Sequence, residues 1–345
     1  MTLVVKVSEG FTDPTLPVLV ADDALASANG GGRFLLDFKN RGSWSSQGTA
    51  ITKSDPLYSL TGAGATGVDS GTFETYAATF TQAGKDAGGV DGIYQNAAVF
   101  TPGMTYDPAT GVAGFSDVTG VAPFDSSTLS YRDVIAGRFI EQENGPYIFD
   151  DLSANYAISL WVKWDSLSTT SGHFFCNKID GSNSRTGVTL LKSGLNVGIQ
   201  HRSYPGFPIN ATTTQSANEI NSTLITPNAT ELQSRNGILR IGYAWKKQGA
   251  GWLRQTALNQ VVNSEQALVG FDTAGIDCGQ STHDGPRNSR WLYALGLGTN
   301  NDNNFFGFAH TNGICRLYIE NTTISGRSAQ EVWDADWAVA NDRFG

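Results

Sequence analysis

The sequence predicts a mainly β protein: an antiparallel sandwich with a short C-terminal helix and an N-terminal arm. Three observations predict it. Several segments alternate apolar and polar residues with period two, no helical pattern separates them, and only 16% of the 345 residues are charged while 40 are glycine. Such a composition suits strands joined by many turns rather than a helical bundle or a disordered chain.

The elements follow in chain order. Residues 1–32 read as an arm with one short strand, "LVVKV", two prolines (Pro14, Pro17) and the Gly30-Gly31-Gly32 run. Residues 33–130 begin with the strand-like "RFLLDF" and continue as a Gly/Thr-rich β and loop region. From 131 to 345 the pattern sharpens. In "ISLWVKW", Ile158, Leu160, Val162 and Trp164 share one face, and Ser159, Trp161 and Lys163 the other, which predicts a strand with one buried side. "GVTLLKSGLNVGIQ" predicts a hairpin turning near Lys192-Ser193-Gly194, with Leu195, Val197 and Ile199 on one face of the return strand. "GILRIGYAWKK" places Leu239, Ile241, Tyr243 and Trp245 together, and "RWLYALGLG" and "ICRLYIE" supply further strands. Strands without interleaved helices argue against a βαβ fold.

The chain closes on "SGRSAQEVWDADWAVA". Ser328 and Glu331 have the spacing at which each side chain satisfies the other's free backbone N–H at a helix start. Trp333, Trp337 and Ala340 then form a stripe able to lie on the sandwich.

With these segments in order, residues 131–340 resemble the laminin-G-like, concanavalin-like jelly-roll family. The resemblance rests on "GPYIFDDLSANYAISLWVKWDSL", "GHFFCNKID", "TGVTLLKSGLNVGIQ" and "FFGFAHTNGICRLYIENTTISGRSAQEVW". It implies two curved antiparallel sheets, with ligand loops on one rim or on the concave face. It implies no function by itself, because the fold hosts lectins, glycosidases and structural modules. The layout of the whole chain, an arm and a Gly/Thr-rich stretch leading into such a module, resembles bacteriophage virion proteins such as tail, baseplate, fibre or capsid-decoration components.

Several constellations bear on chemistry. Gly62, Gly64 and Gly67 form a G-x-G-x-x-G, but the following "VDSGTFETYAATF" is no helix, so a dinucleotide site lacks its frame. Glu141 and Glu143 would share a strand face, as glycosidase carboxylates do, yet the third acid of the glucanase E-x-D-x-x-E run is missing. Asp334 and Asp336 sit two apart on the expected helix and point in different directions; both acidic pairs read as solvated rim charge. His173, His201, His283 and His310 are scattered, and no G-x-S-x-G elbow anchors a serine hydrolase. Catalytic residues are therefore not expected. Two polar loops suit a ligand: "KIDGSNSRTG", with Asp180 and Asn183, and "GTNNDNNFFG", with Asn301, Asp302, Asn304 and Phe305. Their oxygens suit Ca2+ or, beside Phe305, sugar hydroxyls, and equally suit ordinary Asx turns.

Other features set limits. The net charge of −9, with no basic stripe, argues against nucleic acid. No run approaches the ~20 apolar residues of a membrane span, and "MTLVVKVSEGF" lacks the marks of a secretory signal. Cys176, Cys278 and Cys315 lie too far apart for a zinc site and read as reduced, mostly buried thiols, with one bridge and one leftover cysteine as the alternative. The sequons at Asn210, Asn221, Asn228 and Asn321 read as coincidence in a chain rich in Asn, Ser and Thr. The expectation is a non-enzymatic bacteriophage virion structural protein, made in the host cytoplasm, without a cofactor. Its expected partners are other virion proteins, its own copies and a host-surface glycan. The alternative is a free carbohydrate-binding, lectin-like module or a degenerate glycoside hydrolase.

Overall fold

The computed structural model describes residues 25, 30–44, 47–48, 50–51, 57–58, 60, 72–80, 94–95, 104–114, 130–137, 153–164, 172–179, 186–202, 220–268, 293–296 and 313–344. In chain order the strands are β1 (Gly32–Asp37), β2 (Ala50–Ile51), β3 (Leu57–Tyr58), β4 (Thr72–Phe80), β5 (Tyr94–Gln95) and β6 (Met104–Asp107). They continue as β7 (Val112–Gly114), β8 (Ser130–Gly137), β9 (Tyr156–Lys163), β10 (Gly172–Ile179), β11 (Thr186–Ser193) and β12 (Asn196–Arg202). The rest are β13 (Ile220–Ile225), β14 (Ile238–Gln248), β15 (Gly251–Leu258), β16 (Val261–Ala267), β17 (Tyr293–Gly296) and β18 (Gly313–Asn321). Among the described residues three helices join them: α1 (Ala229–Ser234), α2 (Thr322–Ser325) and α3 (Ala329–Phe344).

The strands form two antiparallel sheets. One runs β16-β15-β14-β9-β18-β7-β6-β2, with β1 also paired to β18; the other runs β13-β12-β11-β10-β17-β8-β4-β3, with β5 on β4. Period-two alternation turns one face of each sheet toward the other. Ile158, Leu160 and Val162 of β9, Leu239, Ile241, Tyr243 and Trp245 of β14, and Leu317 and Ile319 of β18 meet Val188, Leu190, Val197 and Ile199 of the second sheet in one buried cluster. The fold is the antiparallel β sandwich with a C-terminal helix that the sequence predicts.

Several expectations are refined. The boundary drawn at residue 131 falls inside β8. Strands before it pair with strands at or after it in both sheets: β1 and β7 with β18, β4 with β8. Of residues 1–32, the described ones pack on the chain's own sheet. Leu25 is buried with Leu35, Tyr318 and Trp333, and the Gly31 carbonyl accepts a bond from the Asn321 N–H (2.8 Å). A Cβ at Gly31 would lie 2.8 Å from the Asn321 oxygen, so this glycine permits a close approach. "LVVKV" lies outside the described residues.

The β11–β12 hairpin keeps Lys192 and Ser193 in the strand, paired with Val197 and Asn196, and turns at Gly194–Leu195. Gly194 takes the left-handed conformation (φ 59°) that a two-residue turn requires. Leu195 is consequently 46% exposed rather than part of the buried face.

The largest departure concerns β9. Both its faces are buried, Ser159 and Trp161 as fully as Leu160. The cover is α3, whose Val332, Trp333 and Ala340 are buried against the outer face. The expected capping box starts it: Ser328 N donates to Glu331 Oε2 (2.7 Å) and Glu331 N to Ser328 Oγ (3.3 Å). The indole N–H of Trp333 donates to the Ile158 carbonyl at 3.0 Å. Gly242 makes room for that ring, since a Cβ there would come within 2.8 Å of it.

Candidate ligand-binding site

A charged network fastens α3 to the sheet. Asp336 is fully buried. Its Oδ1 accepts from Arg316 Nε (2.7 Å), and its Oδ2 from Trp161 Nε1 (2.7 Å) and the Ser159 hydroxyl. Arg316 Nη1 reaches Asp37 (2.9 Å), which also receives Arg343 Nη1 (2.6 Å). Asp336 is thus no rim charge, which corrects the expectation for that pair. A wholly buried carboxylate is tolerable only with such partners. Asp334 does face outward and accepts from Gln330 (2.7 Å).

A second network lies at the start of α3. Glu320, fully buried, accepts from Tyr318 (2.5 Å) and from Arg327 Nε (2.9 Å). Burial and the Glu320 charge push the Tyr318 hydroxyl far above the usual phenol range, so it stays a donor. Arg327 is thereby held at the lip of a cleft of about 140 Å³ between β14–β15 and the α2–α3 connection. Asn155, Lys246, Gln255, Arg327, Ser328 and Gln330 supply its polar walls. Lys246 and Gln255 both bond to Glu265, at 3.0 and 2.6 Å, and Asn155 Oδ1 accepts from the Lys247 N–H at 2.7 Å. Amides, a hydroxyl and two cations therefore sit in fixed positions around one hollow. Such a set can accept from and donate to a polyhydroxylated ligand.

The sequence-predicted site residues do not form this cleft. Asp180, Asn183, Asn301, Asp302, Asn304 and Phe305 lie outside the described residues, as do Glu141, Glu143, His283, His310 and Cys278. His173 and Cys176 fall in β10. His201 is a core residue, with its Nδ1 2.6 Å from the Tyr243 hydroxyl and its ring edge-on to Trp245. Burial, with a smaller contribution from Arg254, pushes its pKa down to about 3, so it is neutral at ordinary pH. Cys315 is buried and free, and burial raises its thiol far above the usual range. Among the described residues no three His, Cys, Asp or Glu side chains converge on a metal position. Two sequons have structural work: Asn228 caps α1 and Asn321 caps α2 through their side-chain oxygens. The cleft residues come from four separated segments and carry no shared motif. The readable signal there was the Ser328/Glu331 box, which locates the helix start.

No protein-family model and no curated protein matches the chain. Among solved structures it is similar to the binding domain of botulinum neurotoxin DC in complex with SialylT, with TM-score 0.44, 10% identity, and 92% of this chain and 52% of that one covered. It is also similar to the binding domain of botulinum neurotoxin DC in complex with rat synaptotagmin II, with TM-score 0.44, 9% identity, and 91% and 52% covered. A third is a botulinum neurotoxin type C structure on cell entry through interaction with two ganglioside molecules, with TM-score 0.46, 9% identity, and 92% and 53% covered. The chain spans about half the length of each of these solved chains.

Proposed function

We propose that the protein is a non-enzymatic binding module for a carbohydrate, taken up in the cleft between β14–β15 and the start of α3. The observation that carries the reading is the lining: Asn155, Lys246, Gln255, Arg327 and Gln330 around about 140 Å³. At a share of about 30 Å³ per water, one sugar ring would replace a handful of waters and recover their hydrogen bonds. Amide side chains both donate and accept, which suits hydroxyls that do the same. The carboxylates bonded to cleft residues are already engaged, Glu265 by Lys246 and Gln255, Glu320 by Tyr318 and Arg327, Glu331 by Ser328 and Asp334 by Gln330. Glycoside hydrolysis needs two carboxyl groups disposed about the scissile bond, and these four each hold a neighbouring side chain or helix end instead. A glycan array probed with the labelled protein tests the reading. Retention of a defined glycan set without release of reducing ends supports it; an array blank at every glycan, or released sugar, refutes it.

A second reading places the module in a virion, as a tail, baseplate, fibre or capsid-decoration component that assembles with other subunits. Strand β16 favours it. Among the described strands β16 ends its sheet, and every residue but Ser264 is exposed, with Val261 at 61%. Exposed edges accept a further strand from another chain, and the arm of residues 1–32 is the candidate donor. Light scattering of the full chain and of a chain starting at Arg33 tests this. Assembly lost with the arm supports it, and a monomer in both cases refutes it.

A further inference from the structure

We propose that Arg240 and Arg235 form a receptor for an oxyanion beside Trp337, on the face of the sheet that α3 covers. Arg240 lies in β14 between Leu239 and Ile241, which face the core, so its own side chain leaves the opposite face. Its backbone is locked on both sides by Asn259, whose Oδ1 accepts from Arg240 N (3.0 Å) and whose N–H donates to the Arg240 carbonyl (2.9 Å). The residue is completely buried, and among the described residues Nε, Nη1 and Nη2 have no hydrogen-bond partner. The guanidinium instead lies over Trp333 and Trp337, at 5.6 and 5.9 Å from the ring centroids.

Among the described residues no carboxylate is hydrogen-bonded to this guanidinium. The charges of Asp336 and Asp334 lie near enough to favour the guanidinium, but the Asp336 oxygens bond to Arg316, Ser159 and Trp161, and Asp334 to Gln330. Burial pushes the Arg240 pKa down to about 10, which still leaves it charged at neutral pH. Arg235, just after α1, stacks on Trp337 at 4.3 Å. Its Nη1 is anchored by Asn341 Oδ1 at 2.7 Å, while Nε and Nη2 are buried without a hydrogen-bond partner among the described residues. Among the described residues five guanidinium nitrogens thus lack acceptors around one half-exposed tryptophan.

Native proteins leave few buried polar groups unsatisfied, and an unpaired buried cation is more unfavourable still. Water would supply acceptors without neutralising the charge. An oxyanion supplies both, and its oxygens match the guanidinium fork. The shared chemistry is that of a carboxylate or phosphate group; an acidic sugar and free inorganic phosphate are its two sources.

Thermal unfolding of the full chain separates them, using sodium phosphate, sodium glucuronate, or sodium chloride at matched ionic strength. The wild type is expected to show a saturable rise in Tm with phosphate or with glucuronate, and the active anion names the source. Arg240→Met should abolish that rise while melting in chloride at or near the wild-type temperature, because the buried guanidinium it removes has no hydrogen-bond acceptor among the described residues. Arg235→Gln, at a half-exposed position, should weaken the response without affecting folding, which keeps the test decisive if Arg240→Met misfolds. No rise in the wild type with either anion, or equal rises in the wild type and Arg235→Gln, overturns the proposal.

Discussion

Arg316 Nε donates to Asp336 Oδ1 over 2.7 Å, with both side chains at zero exposure. One residue belongs to β18 and the other to α3, so a single ion pair binds the last strand to the last helix across the outer face of the sheet. Removing the carboxylate takes one of the acceptors of the buried Arg316 guanidinium and leaves the Ser159 hydroxyl and Trp161 indole N–H without theirs. Asp336→Ala is expected to cost about 3–5 kcal/mol, measured by urea unfolding. A loss below about 1 kcal/mol would mean that α3 is not held by this pair.

Gly242 sets how close α3 can come. An alanine Cβ there meets the Trp333 ring at 2.8 Å, closer than side chains pack, so Gly242→Ala should lose about 1–3 kcal/mol by overpacking and change the tryptophan emission. An unchanged melt and spectrum would show that the helix yields freely.

Leu160 tests the sandwich core. It is fully buried among residues of both sheets, and Leu160→Ala should cost about 2–5 kcal/mol through lost transfer energy and a cavity. A melt equal to wild type would place β9 at the surface.

These residues also show what was legible in the sequence. The inward face of β9, Ile158, Leu160, Val162 and Trp164, followed from alternation because one sheet face packs against the other through contacts that period two encodes. The burial of Ser159 and Trp161 did not follow. Their cover, α3, lies about 170 residues later in the chain, and a serine beside a tryptophan resembles any solvent face. Asp336 was hidden for the same reason: in "WDADW" nothing local distinguishes the carboxylate that meets Arg316 from Asp334, which meets solvent. The capping box was legible because both partners lie within one turn. The cleft was not, since Asn155, Lys246, Gln255 and Gln330 become neighbours only when strands and helix assemble.

His201 gives the fold a pH dependence of known sign. Its pKa is depressed in the folded state to about 3, by burial first and Arg254 second, against about 6.5 when unfolded. Above about pH 6.5 both states are neutral and the full stability is present. Below it the unfolded chain takes up a proton that the folded chain refuses, so stability falls by up to about 1.4 kcal/mol per pH unit toward pH 3. Urea unfolding between these limits should show the slope, and His201→Asn should flatten it. An identical slope in the variant would assign the effect to other groups.

Binding at the cleft is the central claim, and titration calorimetry tests it most directly. The glycan retained most strongly on the array is titrated into the wild type and into Gln255→Ala/Gln330→Ala, which removes two wall amides without touching the Glu320–Arg327 pair. Saturable one-site binding to the wild type is expected, with at least a tenfold weaker affinity in the double variant, about 1.4 kcal/mol, and an unchanged melt. Equal affinity in both proteins would contradict it and move the sugar site away from the start of α3.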